Sequence, residues 1–308
     1  MKKHLSLLLL LPLLFLASCE QTSKPRFEGD VYTIAGLLIS GGSIDLDNPV
    51  YVTRSSTIEA FNPFEIFVGD AEVLIRDLDG NLEFPLEPAL HEFKFKYVDP
   101  AGNAIQPGHR YRIEVSVPGQ DSLIWAETTV PQAVELELDL WGDNPPNTGY
   151  SFDPETANTM PFSQIDSSYP IVVNTGDTAA SFNFFGEIYC LEEFSTDLEF
   201  TNVVFGFENP DESLRDIYNA GGAFRRITFL NRLSSAPQPG IEGNYLVLGD
   251  YAYAFVLYGR YRVKVYVVDD NYYRYTYMEE NYLHGGVHNA LGYFGSASGG
   301  TLYTEVVR

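Results

Sequence analysis

The chain has 308 residues, 45% hydrophobic and 20% charged, with 42 acidic side chains against 19 basic and a net charge of −23. Its apolar content is too high for a disordered chain. Its acidity excludes a binder of nucleic-acid phosphates, whose affinity rests on Lys and Arg. The length allows about two domains of ordinary size, and the two cysteines cannot form a disulfide framework.

Lys2 and Lys3 precede an apolar run from Leu5 to Leu16, followed by the small residues Ala17 and Ser18 and then Cys19. The run is shorter than the roughly 20 residues needed to cross a bilayer, and the order basic, apolar, small is that of a secretory signal peptide. Leu16-Ala17-Ser18-Cys19 resembles a bacterial lipobox, which implies cleavage before Cys19 and lipidation of its thiol and new amino group. Residues 1–18 are therefore expected to be a signal peptide and 19–29 a lipidated tether. No other stretch is long and apolar enough for a span.

Strand signals then follow in close order. Val31 to Ile39 is rich in β-branched and aromatic residues, and Val50 to Thr53 follows the turn Asp47-Asn48-Pro49. Ala71, Val73 and Ile75 alternate with Glu72, Leu74 and Arg76. The turn Asp77 to Asn81 comes next, with Gly80 free to take positive φ. Phe93, Phe95 and Tyr97 alternate with Lys94 and Lys96, and Tyr111, Ile113, Val115 and Val117 with Arg110, Arg112, Glu114 and Ser116. Leu123 to Val130 and Val134 to Leu140 complete a β-sandwich expected over 30–142. Residues 143–170, with Pro145, Pro146, Pro154 and Pro161, read as a linker or long loop. A second β-rich domain is expected over 171–308. Its strand candidates are Phe182 to Tyr189, Phe200 to Phe207, Phe224 to Leu230 and Tyr245 to Leu248, with a hairpin of Ala252–Tyr258 and Tyr261–Val268 turning at Gly259-Arg260.

Two short helices interrupt the strands. Asn209 caps the first, with Pro210 at its first position, Leu214, Ile217 and Tyr218 on its apolar face, and Gly221 as its stop. From Asp270 to about Tyr282, Tyr273 and Tyr277 share one helical face and Tyr272 and Tyr275 an adjoining one. Tyr273, Tyr275 and Tyr277 also alternate as a strand would, so periodicity alone leaves both readings open.

The order of several segments is familiar. It runs through Ile34-Ala35-Gly36-Leu37-Leu38, Asn48-Pro49-Val50-Tyr51-Val52 and Ala71-Glu72-Val73-Leu74-Ile75-Arg76-Asp77. Pro107-Gly108-His109-Arg110-Tyr111, Trp125-Ala126-Glu127-Thr128-Thr129, Tyr272-Tyr273-Arg274-Tyr275 and His288-Asn289-Ala290-Leu291-Gly292-Tyr293-Phe294-Gly295 follow. With the lipobox, this is similar to a Bacteroidota lipoprotein family of unknown function, domain of unknown function 4249. The resemblance implies an envelope lipoprotein with an immunoglobulin- or prealbumin-like first domain, often encoded beside TonB-dependent outer-membrane receptors. It favours helix for the Tyr272 to Tyr282 segment, and it supplies no catalytic residues.

Chemistry-bearing patterns are few. Asp77, Asp79 and Asn81 resemble the start of a calcium loop, but Gly80 stands too early and Pro88 occupies the position that needs glutamate, so a hairpin turn is expected. Asp45 and Asp47 are further loop acids. His284 and His288 have the i, i+4 spacing of a zinc pair, interrupted by Gly285 and Gly286. There is no Gly-x-Ser-x-Gly elbow. Cys190 is expected to be a small buried hydrophobe, and pairs such as Glu192-Glu193 and Glu279-Glu280 are what acidic composition delivers. Trp125 and Trp141 are expected in the core or at a domain edge. The tract from Tyr245 to Tyr282 is the unusual feature, because tyrosines supply rigid amphipathic contact area.

The sequence thus leads us to expect an all-β protein with one or two short helices, in which a sandwich precedes a second β-rich domain. Its expected place is the cell envelope, lipid-anchored in the outer membrane on either face. We expect a non-enzymatic binding or accessory component alongside a TonB-dependent receptor in nutrient capture, without metal or cofactor. Cys19 is the expected lipid site, and Tyr272, Tyr273, Tyr275 and Tyr277 are the candidate ligand contacts. The competing expectations are a secreted glycan-active hydrolase with an accessory β domain and a structural or adhesive envelope protein.

Overall fold

The computed structural model describes residues 31–56, 62–138, 149–176, 179–195, 197–201, 212–219, 224–240 and 242–308. The signal peptide, Cys19, the tether, Trp141 and the Asn209 cap lie outside them. In chain order the elements are β1 (Tyr32–Ile39), β2 (Tyr51–Arg54), the one-turn helix α1 (Pro63–Ile66), β3 (Glu72–Asp77), β4 (Leu82–His91) and β5 (Lys94–Val98). β6 (Arg110–Ser116), β7 (Ile124–Thr129), β8 (Glu135–Glu137), β9 (Asn158–Pro161), α2 (Ile165–Ser168), β10 (Ile171–Asn174) and β11 (Ser181–Cys190) follow. The rest are α3 (Glu212–Asn219), β12 (Arg226–Ser234), β13 (Ala236–Pro237), β14 (Asn244–Leu248), β15 (Gly259–Val268), α4 (Asp270–Tyr277), β16 (Val287–His288) and β17 (Leu291–Val307). The protein is all-β.

Three sheets hold these strands. A long sheet runs β12-β11-β15-β17-β1-β2, with β9 added to β17; a second runs β13-β14-β10-β8; a third runs β16-β7-β6-β3-β4-β5. The long sheet is organised by β17, whose 17 residues span about 55 Å at the usual strand rise. Its first half pairs in parallel with β1, from Leu291 beside Thr33 to Ala297 beside Ile39. Its second half pairs with β15, from Ala297 beside Val268 to Val306 beside Gly259.

Side-chain alternation turns one face of this sheet inward along its whole length. Ile34, Leu38, Val52 and Phe294 meet the third sheet's Val73, Ile75, Ile113, Val115 and Ala126 in one core. Val263, Val265, Leu302 and Val306, with Phe184 and Ile188, meet Ile171, Val173 and Leu246 of the second sheet in another. Each of these Val, Leu, Ile and Phe side chains, buried to a few per cent exposure or less, contributes about 1.5–3 kcal/mol. From Tyr32 to Arg308 the chain forms one compact unit, with the two cores joined by β17. Within 143–170, the described residues from 149 onward carry β9 on β17 and bury Tyr150, Met160 and Ile165 in the second core.

Several local expectations are corrected. Asn81, at φ 54°, rather than Gly80 takes the left-handed position of the Asp77 turn. Gly80 is needed for space instead, because a Cβ there would lie 2.5 Å from Asp77 Oδ2. Phe93 is 74% exposed, in a turn, while Lys96 is buried and its Nζ donates to the Leu46 carbonyl at 3.0 Å. Ala252 to Tyr258 is not a hairpin strand. Ala252–Ala254 is a 3-10 turn, and Ala254, Phe255, Val256 and Leu257 are all buried. The Tyr261 hydroxyl pins that plug by donating to the Leu257 carbonyl at 2.8 Å and accepting from its N–H at 2.9 Å.

Candidate functional site

The Tyr272 to Tyr282 segment resolves into helix α4, followed by a 3-10 turn at Asn281–Leu283. Asp269 starts the helix. Its Oδ1 accepts from the Tyr272 N–H at 3.0 Å, satisfying one of the free donors of the first turn. Its Oδ2 accepts from Thr128 Oγ1 at 2.6 Å, and Thr128 Oγ1 lies 2.7 Å from Ser296 Oγ. Ser296 Oγ donates to the Thr129 carbonyl at 3.0 Å. Asn271 Nδ2 reaches the carbonyls of Glu127 at 2.7 Å and Phe294 at 2.9 Å. One polar cluster thus ties the helix to β7 and β17 together. Burial pushes the Asp269 carboxyl above its ordinary value, against the opposing pull of the Thr128 hydroxyl and neighbouring N–H groups.

The helix can lie this close because of Gly295, which sits beneath it. A Cβ on Gly295 would stand 2.8 Å from Tyr272 Cβ and 2.9 Å from Asp269 Oδ1. A cleft of about 420 Å³ opens beside the helix start, between β6 and β7 on one side and β11 and β15 on the other. The charged groups on its walls are already engaged. Arg110 Nη2 pairs with Asp79 at 3.0 Å, Glu127 with Arg112 at 3.3 Å, and Asp270 accepts from Asn183 Nδ2 at 3.0 Å.

The four tyrosines do not form one platform. Tyr272 packs edge-on to Phe185 and Tyr293 at centroid distances of 5.7 and 5.4 Å, and Tyr275 lies 4.6 Å from Tyr293. These two fasten the helix to the sheet. Tyr273 and Tyr277 stack on each other at 5.5 Å and 20°, and Tyr277 is 68% exposed. Exposed Met278 follows directly, and beyond the exposed Glu279, Glu280 and Asn281 stand the exposed Tyr282 and Leu283, so the stacked pair heads an outward segment of apolar groups interleaved with polar ones.

The remaining candidates have structural partners. Asp77 is buried, and its oxygens accept from the N–H groups of Asp79 and Gly80 and face His109 Nδ1 at 2.9 Å. Asp45 caps its own loop by accepting from the N–H groups of Asp47 and Asn48, each at 3.0 Å. His288 stacks on Trp125 at 3.9 Å and 9°, while Arg112 covers the same indole at 4.5 Å. Glu192 pairs with Arg260 at 2.8 Å, which holds its carboxyl below the usual range. Cys190 is buried. Among the described residues, no group of three or more His, Cys, Asp or Glu is placed to hold a metal, and no helix is long and apolar enough to cross a membrane.

Thr128, Asp269 and Ser296 were not singled out in the sequence. The pair Asp269-Asp270 ahead of a tyrosine face is an N-cap signal that marks Asp269. Thr128 and Ser296 join it only through tertiary pairing.

Fold and site together define a two-core β protein that presents a rigid helix and an outward aromatic patch. The model of the family described as Domain of unknown function (DUF4249) matches residues 25–301, and the chain belongs to that family. No curated protein matches it.

Proposed function

We propose that this protein is a lipid-anchored component of the outer membrane that acts without catalysis, as a binding or accessory partner of a TonB-dependent receptor in nutrient capture. The observation that carries this reading is the stacked Tyr273–Tyr277 pair, followed along the chain by exposed Met278, Tyr282 and Leu283. Contiguous exposed apolar groups rimmed by polar residues mark interaction surfaces, and tyrosine is favoured there because it offers large contact area at low entropic cost. The polar cluster around Asp269 preorganises that surface, so that less ordering accompanies docking. The lipobox supports anchoring through Cys19.

The test is affinity capture of the lipidated protein from detergent-solubilised outer membranes. A receptor should co-purify with the native chain, and Tyr273→Ala/Tyr277→Ala should reduce its yield while leaving the fold intact. Cys19→Ser should release the protein from membranes. Recovery of the protein alone under gentle conditions, or a membrane-bound Cys19→Ser variant, would refute the reading.

A further inference from the structure

The outer face of the long sheet carries a second feature, independent of the tyrosine patch. Register places Arg226, Tyr189, Arg262 and Tyr303 side by side across β12, β11, β15 and β17, with Thr228, Glu187, Lys264 and Thr301 in the next row. Glu187 stands among three cations: Arg226 Nε at 3.5 Å, Arg262 Nη2 at 3.4 Å and Lys264 Nζ at 3.9 Å. The Tyr189 ring lies under Arg262, Arg225 and Arg226 at 5.0, 4.8 and 5.4 Å. Three cations therefore converge on one carboxylate, with Arg225 against the neighbouring Tyr189 ring, in a chain whose acids outnumber its bases 42 to 19.

A purely structural ion pair needs one partner for Glu187, not three. The like charges crowd one another. Lys264 is held below its ordinary value, first by burial and then, despite the pull of Glu187, by Arg262 and Arg226. The buried Nε–H of Arg262 has no acceptor among the described residues. Arg226 and Arg262 lie two strands apart, roughly 10 Å at strand spacing. Arg262 and Lys264 follow each other on one face about 7 Å apart. Their side chains nevertheless bring all three charged heads within 3.9 Å of the one Glu187 carboxylate, a convergence that a single oxyanion can span, and guanidinium forks suit carboxylate, sulfate and phosphate oxygens.

We propose that this face binds a small ligand through an oxyanion group, gripped by Arg226, Arg262 and Lys264, with Glu187 as the internal anion that competes for the same cations. Tyr189 holds the guanidinium groups in place by cation–π contact, so the site is formed before the ligand arrives.

Isothermal titration calorimetry of the full chain with inorganic tripolyphosphate at low ionic strength tests this. Saturable 1:1 binding is expected, with inorganic sulfate competing weakly. Citrate in place of tripolyphosphate distinguishes a carboxylate ligand from a phosphate one. Arg226→Gln, at the exposed end of the row, should weaken binding about tenfold or more, the effect of one charge-assisted hydrogen bond. Glu187→Gln should strengthen it by a similar factor, an effect that a merely structural carboxylate would not produce. Arg274→Gln, on α4 and outside the cluster, should leave it unchanged. Absence of saturable binding of both tripolyphosphate and citrate, equal losses in Arg226→Gln and Arg274→Gln, or unaltered affinity in Glu187→Gln would overturn the proposal. Loss of receptor capture would not bear on it, since that depends on the tyrosine patch.

Discussion

Replacing Asp269 by alanine and by asparagine separates its work as an acceptor from its work as a charge. Alanine removes the acceptor of the Tyr272 N–H and that of Thr128 Oγ1. A lost N-cap costs about 1 kcal/mol and a lost hydrogen bond to a charged group about 1.5–3 kcal/mol. Relief from burying a carboxylate offsets part of this, leaving a net loss of about 2–3 kcal/mol. Asparagine keeps an oxygen for Tyr272, and the Thr128 hydroxyl, still beside Ser296, can accept from the new amide, so the loss should stay under about 1 kcal/mol. Charge shows in the pH dependence. Burial holds the native carboxyl above its ordinary value, so the folded protein binds this proton more tightly than the unfolded chain does. The contribution of Asp269 to stability is therefore full below the unfolded value near pH 4 and declines as pH rises through the native one. Asp269→Asn lacks that decline and should gain on the native protein as pH rises from about 4. Urea unfolding followed by aromatic fluorescence across pH reads both effects. Equal losses in the two variants, or parallel pH profiles for Asp269→Asn and the native chain, would refute the account.

Three further outcomes follow from the same geometry. Gly295→Ala should overpack the helix contact and cost about 1–3 kcal/mol, with hydrogen-exchange protection lost first along α4; unchanged protection there would count against the close approach. Cys190, whose thiol burial pushes up, should resist thiol reagents in a Cys19→Ser background until the protein unfolds, so rapid native labelling would contradict its placement. At Asp77, burial raises the carboxyl, but hydrogen bonds from Gly80, His109 and Asp79 outweigh it and leave the group below its usual value. The stability it confers is present above the unfolded value and lost as pH falls through the native one, so Asp77→Asn should flatten the acid limb of the unfolding profile.

Strands with a clean period of two were legible in the sequence. Ala71, Val73 and Ile75 point inward as their alternation requires, as do Tyr111, Ile113, Val115 and Val117. β4 was hidden by Pro85 and Pro88, which argue against a central strand. It tolerates them because its first half pairs only with β3 and its second half only with β5, so each proline has an open side. β17 was hidden by its glycines, which lack β-propensity; at Gly295 the missing side chain makes room for α4. Val256 and its neighbours misled because a segment buried on all sides shows no period. In the candidate site, the amphipathic spacing separated Tyr273 and Tyr277 from Tyr272 and Tyr275. Which pair faces outward depended on Tyr293, about 20 residues further on, and the basic face over Glu187 depended on pairings among three strands.

The pairing of β1 with β17 sets the timetable of folding. Ile34 lies beside Gly292, so the first core, built mostly from residues 34–130, also needs Phe294 and its strand, more than 250 residues from Ile34 in sequence. Loop closure over that separation is entropically costly, and contacts this distant in sequence make folding slow. Pairing of β17 with β1 completes the first core, and its pairing with β15 completes the second. One parallel pairing thus couples two cores that local packing alone would leave separable, and a change that loosens β17 should be felt in both.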